Sequence, residues 1–197
     1  MSREPKQARA EKRRASLLDA AAALLDRHGY GAVTTNAIAK EAGAAVGTVY
    51  DYFPDKAAVL SALLERYRER LQHTIMGALA EAGTDTNELV ERSVRAFARF
   101  YQEEPGYAQL WLGSQLIAPL REAGDAWGQE FGGLIAQLVR QQTGKSETDA
   151  ARAALTLVHA VSSVITLALT QKDSERDALI EEAVLLAKAY LSAQAPT

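Results

Sequence analysis

Cysteine is absent from the 197-residue sequence, and this absence excludes several kinds of chemistry. The chain has no disulfide framework, no cysteine-ligated metal site and no thiol nucleophile. Histidine is scarce, and the three histidines, His28, His73 and His159, lie on separate predicted helices. No zinc-protease, phosphate-loop or nucleophile-elbow motif accompanies them. The sequence therefore predicts no catalytic residue, no metal and no cofactor, and an acid–base pair assembled by the fold is the enzymatic alternative left open.

An uninterrupted membrane-spanning run is also lacking. The least charged segment, residues 153–171, approaches the length of a membrane span. Polar side chains interrupt it, namely Thr156, His159, Ser162, Ser163 and Thr166. A buried helix is therefore predicted there. The N-terminus is charged and carries no secretory signal pattern, so these features predict a cytoplasmic protein with no membrane partner.

Strand-like alternation is missing as well, and apolar residues recur at the spacing of helices. Hydrophobic residues make up 48% of the chain, which is enough to bury a core. The first three predicted helices cover residues 13–28, 35–42 and 45–52, and a long fourth helix follows Asp55 as its cap and reaches about residue 82. Further helices are predicted at about 86–103, 106–117, 119–142, 147–171 and 175–193. The sequence thus predicts an all-α fold.

Positive charge is concentrated at the N-terminal end of a chain whose formal net charge is -3. Residues 1–14 contain six basic and two acidic residues, and residues 1–56 contain nine basic and seven acidic residues. The rest of the chain is therefore acidic. This asymmetry is expected if one end contacts phosphates, and a solvated tail is the alternative that charge alone leaves open.

The segment "TTNAIAKEAGAAVGTVYDYFPDK", residues 34–56, carries an unusual density of hydroxyl and lysine side chains. Thr34 and Thr35 are candidate N-caps of its first helix. Gly43 ends that helix, because glycine adopts the left-handed conformation without penalty. Apolar side chains on both short helices are expected to pack against the preceding helix. This pattern predicts a helix-turn-helix, in which the second helix enters the major groove of DNA.

Extended to residue 60, the string "TTNAIAKEAGAAVGTVYDYFPDKAAVL" closely resembles the DNA-binding signature of the TetR family of bacterial repressors. The resemblance covers about residues 11–65 in detail. It implies an N-terminal three-helix helix-turn-helix DNA-binding domain at residues 1–56, joined by a long helix to a C-terminal helical ligand-binding and dimerisation domain at residues 57–197. It also implies a homodimer through the helices at about 147–171 and 175–193, bound to a palindromic operator in double-stranded DNA.

The resemblance implies DNA contacts from seven residues: Thr35, Asn36, Val46, Thr48, Tyr50, Tyr52 and Lys56. Thr35 would bond a phosphate through its hydroxyl or its amide. Asn36, Val46, Thr48 and Tyr50 would lie closest to the bases or the adjoining backbone. Tyr52 and Lys56 would hold the DNA backbone.

The sequence departs from the family pattern at residues 44–46, where it has "AAV" and family members often carry a polar run such as "VSK". Val46 cannot donate a hydrogen bond. It either touches a thymine methyl or completes the apolar face formed by Val49 and Phe53. Direct hydrogen bonds to bases are therefore expected to be few, and the shape of the DNA is expected to contribute more to sequence recognition.

Aromatic residues gather between residues 97 and 131, where both tryptophans of the chain lie. Aromatic walls with a few polar groups are typical of small-molecule pockets. Polar residues on the apolar helix at 147–171 are further candidates, which would orient a ligand, bond their own backbone or meet a symmetry-related subunit. The predicted ligand-binding residues are Phe97, Tyr101, Tyr107, Trp111, Gln115, Trp127, Phe131 and His159. An ordinary aromatic core is the alternative.

The predicted function is that of a ligand-responsive, sequence-specific transcriptional regulator. We expect a repressor that a small, largely apolar effector molecule releases from its operator. A helix-turn-helix regulator controlled by a protein partner is the first alternative, because aromatic clusters also build cores. Activation in place of repression is the second, because the sequence does not show where the operator lies.

Overall fold

A computed structural model describes residues 6–83, 85–114 and 132–194, and every regular element within those residues is helical. The helices are α1 (Lys6–His28), α2 (Thr35–Glu41), α3 (Val46–Tyr52), α4 (Lys56–Glu81), α5 (Thr86–Glu103), α6 (Tyr107–Ser114), α7 (described over 132–143), α8 (Glu147–Leu169) and α9 (Asp173–Gln194). A short 3-10 turn, Tyr30–Ala32, lies between α1 and α2. The prediction of an all-α fold is confirmed.

Side-chain caps and one glycine set the ends of the short helices. Thr34 caps α2, and its hydroxyl accepts a hydrogen bond from the Ala37 amide at 3.1 Å. Asp55 caps α4 in the same way, since its Oδ1 atom accepts from the Ala58 amide at 2.8 Å. Gly43 follows α2 with a φ of 58°, the left-handed conformation that favours glycine. The structure therefore selects Thr34 from the two candidate caps of α2.

Helix α1 begins at Lys6, well before the predicted start at Arg13. The additional segment, "KQARAEK", consists mostly of strong helix formers. Within it, Gln7 Nε2 donates a hydrogen bond to Glu11 Oε1, about one turn later, at 3.3 Å. The sequence-based boundary was wrong because it followed the apolar stripe, whose first member is Leu17, and the preceding polar segment carries no such stripe. The basic side chains of this segment are consequently carried on a helix.

The described residues form two compact units. The N-terminal unit comprises residues 6–67 and 104–114, and the C-terminal unit comprises residues 68–83, 85–103 and 132–194. Helix α4 therefore contributes residues to both units. This division follows packing, and the functional boundary after residue 56 stays a prediction.

The N-terminal unit is built around α1. Leu17, Leu18 and Leu25 on α1 are buried, and so are Ile38 of α2 and Val49 of α3. Each buried aliphatic side chain contributes about 1.5–3 kcal/mol relative to an exposed one. Because this packing fixes one face of α2 and of α3 against α1, the polar side chains on the other faces remain at the surface.

In the C-terminal unit, α8 packs beside α9, and α5 packs against α9. Two ion pairs connect α5 with α9: Arg95 Nη1 lies 2.7 Å from Glu181 Oε1, and Lys188 Nζ lies 2.6 Å from Glu91 Oε2. Arg95 also donates to Glu91 within α5 at 3.0 Å. The four side chains form one network, which we call the α5–α9 ion network.

Candidate DNA-binding surface and ligand cavity

The outer faces of α2 and α3 present hydroxyl and amide groups to solvent. Tyr50 on α3 is 54% exposed, and Asn36 on α2 is exposed. The hydroxyls of Thr35 and Tyr50 lie 3.3 Å apart, within hydrogen-bond distance. Because Thr34 supplies the cap, the Thr35 hydroxyl is not needed for capping. The two short helices thus bring two predicted DNA-contact residues to one point on the surface.

Val46 begins α3 and is 38% exposed, whereas Val49 and Phe53 are buried. Its methyl groups therefore reach solvent at the first turn of the candidate recognition helix. Thr48, two residues later, is half-buried. The exposure of Val46 favours contact with a thymine methyl over a purely structural role, and the contact itself stays a prediction.

Lys56 is engaged within the N-terminal unit. Its Nζ atom donates a hydrogen bond to the Tyr30 carbonyl at 3.0 Å and lies 3.8 Å from the centroid of the Tyr30 ring. Partial burial disfavours the charged amine and lowers the pKa of Lys56 below its ordinary value. Tyr52, at the end of α3, is half-buried. Contacts from Tyr52 and Lys56 to a DNA backbone stay predictions.

The cations around α2 and α3 differ in their availability to phosphates. Arg27 Nη2 lies 2.6 Å from Glu41 Oε1, a pair that connects α1 with α2. Lys12 and Arg13 on α1 and Lys40 on α2 are exposed. Cationic side chains placed along one surface supply the sequence-independent part of DNA affinity. The exposed cations of α1 and α2 are therefore candidates for backbone contacts.

The C-terminal unit contains a cavity of about 120 Å³. The described residues that line it belong to α4, α5, α7, α8 and α9. Most of them are aliphatic, and they include Leu89, Val94, Phe97, Val139, Leu157 and Val161. A cavity of this size and polarity is comparable to engineered apolar cavities of about 150 Å³ that bind a benzene ring.

Four polar residues line the cavity, and none of the described lining residues is ionisable: they are Thr86, Ser93, Gln142 and Ser162. Gln142 is exposed and therefore lies at the edge of the cavity. The Ser93 hydroxyl oxygen is shielded from solvent and has no hydrogen-bond partner in the described part of the chain. A buried polar group without a partner costs roughly 1–3 kcal/mol. A bound molecule that supplied a partner would recover that cost.

The predicted ligand-binding residues are divided between the two units. Phe97 lines the cavity, and Tyr101, about one turn later on α5, packs edge-on against it with ring centroids 4.9 Å apart. Tyr107 and Trp111 belong to the N-terminal unit, where their rings stack with centroids 6.5 Å apart. His159 is exposed on α8. The remaining three, Gln115, Trp127 and Phe131, lie outside the described residues.

Most of the cavity lining was not predicted from the sequence, including Ser93, Val158 and Leu191. One signal was available on α5, where Leu89, Ser93 and Phe97 recur one turn apart on a face that is otherwise apolar. A serine in such a stripe is a local inconsistency that points to a special environment. The other lining residues carry no comparable signal, because helices far apart along the chain bring them together.

Helices α8 and α9 leave large apolar side chains at the surface. The exposed leucines are Leu155 (45%), Leu167 (51%), Leu185 (60%) and Leu186 (36%). His159 and Ser163 follow Leu155 at four-residue steps along α8, so they share its exposed side. An exposed apolar patch on a helical protein commonly marks an interaction site.

Helix α8 is also the one described helix that is long and apolar enough to cross a membrane by length and composition alone. About 33% of its most apolar stretch is buried inside the structure. Core helices of soluble proteins share this length and composition, so the property gives weak support to a membrane role.

The arrangement of α1, α2 and α3 defines a helix-turn-helix DNA-binding protein. Residues 17–63 match the family model described as bacterial regulatory proteins, tetR family. Residues 85–191 match the model described as tetracyclin repressor-like, C-terminal domain, and this match covers more than half of the chain. The chain therefore belongs to the TetR family and is a transcriptional regulator. The family predicted from residues 34–60 is confirmed.

Two relatives match parts of the chain. The HTH-type transcriptional repressor KstR of Rhodococcus jostii is 46% identical over 61 residues, which cover 31% of this chain and 29% of KstR. The nucleoid occlusion factor SlmA of Vibrio atlanticus is 29% identical over 131 residues, which cover 66% of each protein. The chain thus spans less than a third of the length of the KstR relative it matches.

Solved structures resemble nearly the whole chain. A TetR-family transcriptional regulator from Streptomyces coelicolor has a TM-score of 0.72 at 27% identity, over 92% of this chain and 99% of that one. The fatty acid degradation regulator FadR from Bacillus halodurans has a TM-score of 0.71 at 21% identity, over 95% of this chain and 96% of that one. The similarity to FadR shows only that the two chains share a fold.

Proposed function

We propose that this TetR-family regulator is a homodimeric repressor that binds a palindromic operator and is released from it by a small, largely apolar molecule. The observation that carries the proposal of ligand control is the apolar cavity of about 120 Å³ in the C-terminal unit. A concave, mostly apolar space with a few polar groups is the usual form of a ligand site. We assign the protein no catalytic activity and a cytoplasmic location, where bacterial DNA lies.

In this proposal α3 lies in the major groove, with Thr48 and Tyr50 toward the bases and Val46 against a thymine methyl. Thr35 bonds a phosphate, and Asn36 lies beside the bases or the adjoining backbone. Few of these side chains can form the paired hydrogen bonds that discriminate strongly between bases. Sequence-dependent DNA shape therefore contributes to recognition.

The exposed leucines of α8 and α9 support dimerisation. A palindromic operator requires two recognition helices related by two-fold symmetry. Pairing α8 and α9 with their symmetry mates in a four-helix bundle removes Leu167 and Leu185 from water, and each buried Å² of apolar surface contributes about 25 cal/mol. His159 and Ser163 then meet the symmetry-related subunit, which is one of the alternatives that the sequence left open.

The size of the cavity suggests how a ligand acts on the protein. Most small-molecule sites measure roughly 300–1,000 Å³, so we infer that an effector larger than a single ring moves the lining helices apart. Such a molecule binds the expanded state better than the compact state, and differential affinity is what shifts a conformational equilibrium. Helix α4 supplies residues to the cavity and to the N-terminal unit. We infer that α4 carries the shift toward α3, and a coupling of about 1–3 kcal/mol lowers operator affinity roughly 5- to 150-fold.

Repression rather than activation is supported by the KstR relative. That protein is a transcriptional repressor, and its 46% identity with this chain covers 61 residues. The match covers 31% of this chain, so it carries nothing about the effector.

The test of ligand control uses a fluorescently labelled duplex that carries a site recovered by selection from random DNA. Neutral apolar compounds of increasing size are titrated into the protein–DNA complex, and anisotropy reports release. We expect at least one compound to raise the Kd for DNA by about tenfold or more. Val158→Phe, which places a ring in the cavity, should bind DNA and lose the response. A response that persists in this variant, or no response to any compound, contradicts ligand control through the cavity.

A further inference from the structure

We propose that the cavity selects an uncharged ligand with an apolar body and one hydrogen-bonding oxygen, and that the Ser93 hydroxyl is the group that holds this oxygen. The inference rests on the proposed function, in which the cavity is the effector site. It adds the chemical class of the ligand and names the residue that determines it.

The described lining of the cavity favours neutral ligands over charged ones. None of the described lining residues can supply a charge to pair with a carboxylate or an amine. Burying an unpaired charge in an apolar space is far more costly than burying a neutral group. The ions of the α5–α9 ion network are already paired with one another. Among the described residues no charged partner is left for a ligand, so we infer that the bound molecule is neutral.

The Ser93 hydroxyl differs from the other polar groups of the lining. Its oxygen is shielded from solvent and lacks a hydrogen-bond partner in the described part of the chain. Serines inside helices commonly bond the carbonyl one turn earlier, as Ser163 does with the His159 carbonyl at 2.8 Å. Ser93 does not make that bond to a described residue, so a change of its side-chain rotamer that turns the hydroxyl into the cavity breaks no hydrogen bond. Gln142, by contrast, is exposed and can bond water.

The position of Ser93 explains why one polar group is enough. It lies on α5 between Leu89 and Phe97, and all three residues line the cavity. A ligand whose oxygen reaches Ser93 therefore has its apolar part among aliphatic and aromatic side chains. A polar group in such a site mainly fixes orientation and specificity, while apolar contact supplies affinity.

The experiment compares four probes of similar size: toluene, benzyl alcohol, benzoate and benzylamine. Each is titrated into the full-length protein, and the methyl NMR signals of Leu157 and Val161 report binding inside the cavity. We expect benzyl alcohol to bind, toluene to bind without needing Ser93, and the two charged probes to leave the methyl signals unchanged. Benzoate or benzylamine binding as tightly as benzyl alcohol overturns the inference.

Two serine variants separate the proposed contact from general effects. Ser93→Ala should weaken benzyl alcohol about 2- to 10-fold, as expected for one hydrogen bond, and leave toluene binding unchanged. Ser16→Ala removes a hydroxyl from α1, which supplies none of the described lining residues, and should bind both probes as the wild type does. Ser93→Ala should also raise the melting temperature of the ligand-free protein, since it removes an unpaired buried hydroxyl and favours the helix. Equal benzyl alcohol affinities in the two variants overturn the role of Ser93.

The same measurements distinguish this inference from the proposed function. If benzyl alcohol binds through Ser93 but no neutral compound releases DNA, ligand control fails and the ligand class stands. If compounds release DNA while Ser93→Ala binds benzyl alcohol normally, ligand control stands and the role of Ser93 fails. If no probe shifts the lining methyl groups, the cavity takes no ligand of this class and the inference is rejected.

Discussion

The Tyr50 hydroxyl is exposed on α3 and lies 3.3 Å from the Thr35 hydroxyl. Tyr50→Phe removes this hydroxyl and keeps the ring, so it tests one hydrogen-bonding group of the DNA surface. We expect the Kd for the operator to rise about 2- to 10-fold, with an unchanged melting temperature. Fluorescence anisotropy measures the change, and Tyr190→Phe on α9 is the matched control. Wild-type affinity in Tyr50→Phe contradicts the contact.

Gly106 lies just before α6 and approaches α1 closely. Its φ is 73°, and a Cβ atom placed there would lie 2.6 Å from the Ala22 carbonyl oxygen and 2.7 Å from Leu25 Cβ. Gly106→Ala combines backbone strain with steric overlap, so we expect the free energy of unfolding to fall by about 2 kcal/mol or more. Urea denaturation measures this change.

The control for Gly106 is Gly77→Ala in α4, where an added Cβ atom has no neighbour within 4 Å. Alanine in an open helical position should stabilise the protein by about 0.5–1 kcal/mol. If the free energy of unfolding falls equally in both variants, the close approach of Gly106 to α1 is not the cause of the loss.

At the residue scale, the sequence predicted contacts that are local and missed those that the fold creates. Thr34, Gly43 and Asp55 act through neighbours a few residues away, so their roles as caps or turns were readable from spacing. The bond between Lys56 and the Tyr30 carbonyl joins residues that only tertiary packing brings together. The unpaired state of Ser93 is also a property of its surroundings, although its place in an apolar stripe was visible.

The α5–α9 ion network makes the packing of two helices sensitive to pH. Hydrogen bonds from Lys188 and Arg95 hold the pKa of Glu91 below its ordinary value, and the Arg95 hydrogen bond lowers the pKa of Glu181. Lowered carboxyl pKa values stabilise the folded state above the unfolded pKa of about 4.3. That stabilisation is lost as the pH falls through the lower folded pKa values.

The variant that tests the α5–α9 ion network is Arg95→Leu. At a pH of about 7 we expect the variant to have a lower melting temperature than the wild type. At a pH of about 3 the carboxyl groups become protonated, so this difference in melting temperature should shrink. Arg152→Leu breaks a pair with Asp149 inside α8 alone, so it should change the melting temperature little. If Arg95→Leu lowers the melting temperature equally at both pH values, the α5–α9 ion network does not cause the pH dependence.

At the scale of helices, most segments follow from apolar spacing, as for α5, where the predicted and observed bounds agree at residues 86–103. The start of α1 was missed because the segment from Lys6 onward precedes the apolar stripe of that helix. The cavity was not predictable in its detail. Its described lining comes from five helices, and no local pattern encodes their arrangement.

The whole molecule is proposed to act as a dimer through α8 and α9. Leu167→Glu combined with Leu185→Glu places charges on the exposed apolar face, where the two leucines are 51% and 60% exposed. We expect a folded monomer in analytical ultracentrifugation and a loss of operator binding, because burying unpaired charge at an interface is costly. Met76→Glu alters another exposed apolar residue, on α4, and should leave the dimer intact. A double variant that stays dimeric places the interface elsewhere.

The central claim is that α2 and α3 read a two-fold symmetric DNA sequence. Its most direct test is to select bound duplexes from a random pool at two salt concentrations, using protein refolded after denaturation so that no ligand remains. We predict an enriched palindrome with half-sites about one helical turn apart or slightly more, and an affinity that falls steeply with salt. Folded protein that enriches no sequence at either salt concentration would contradict the claim.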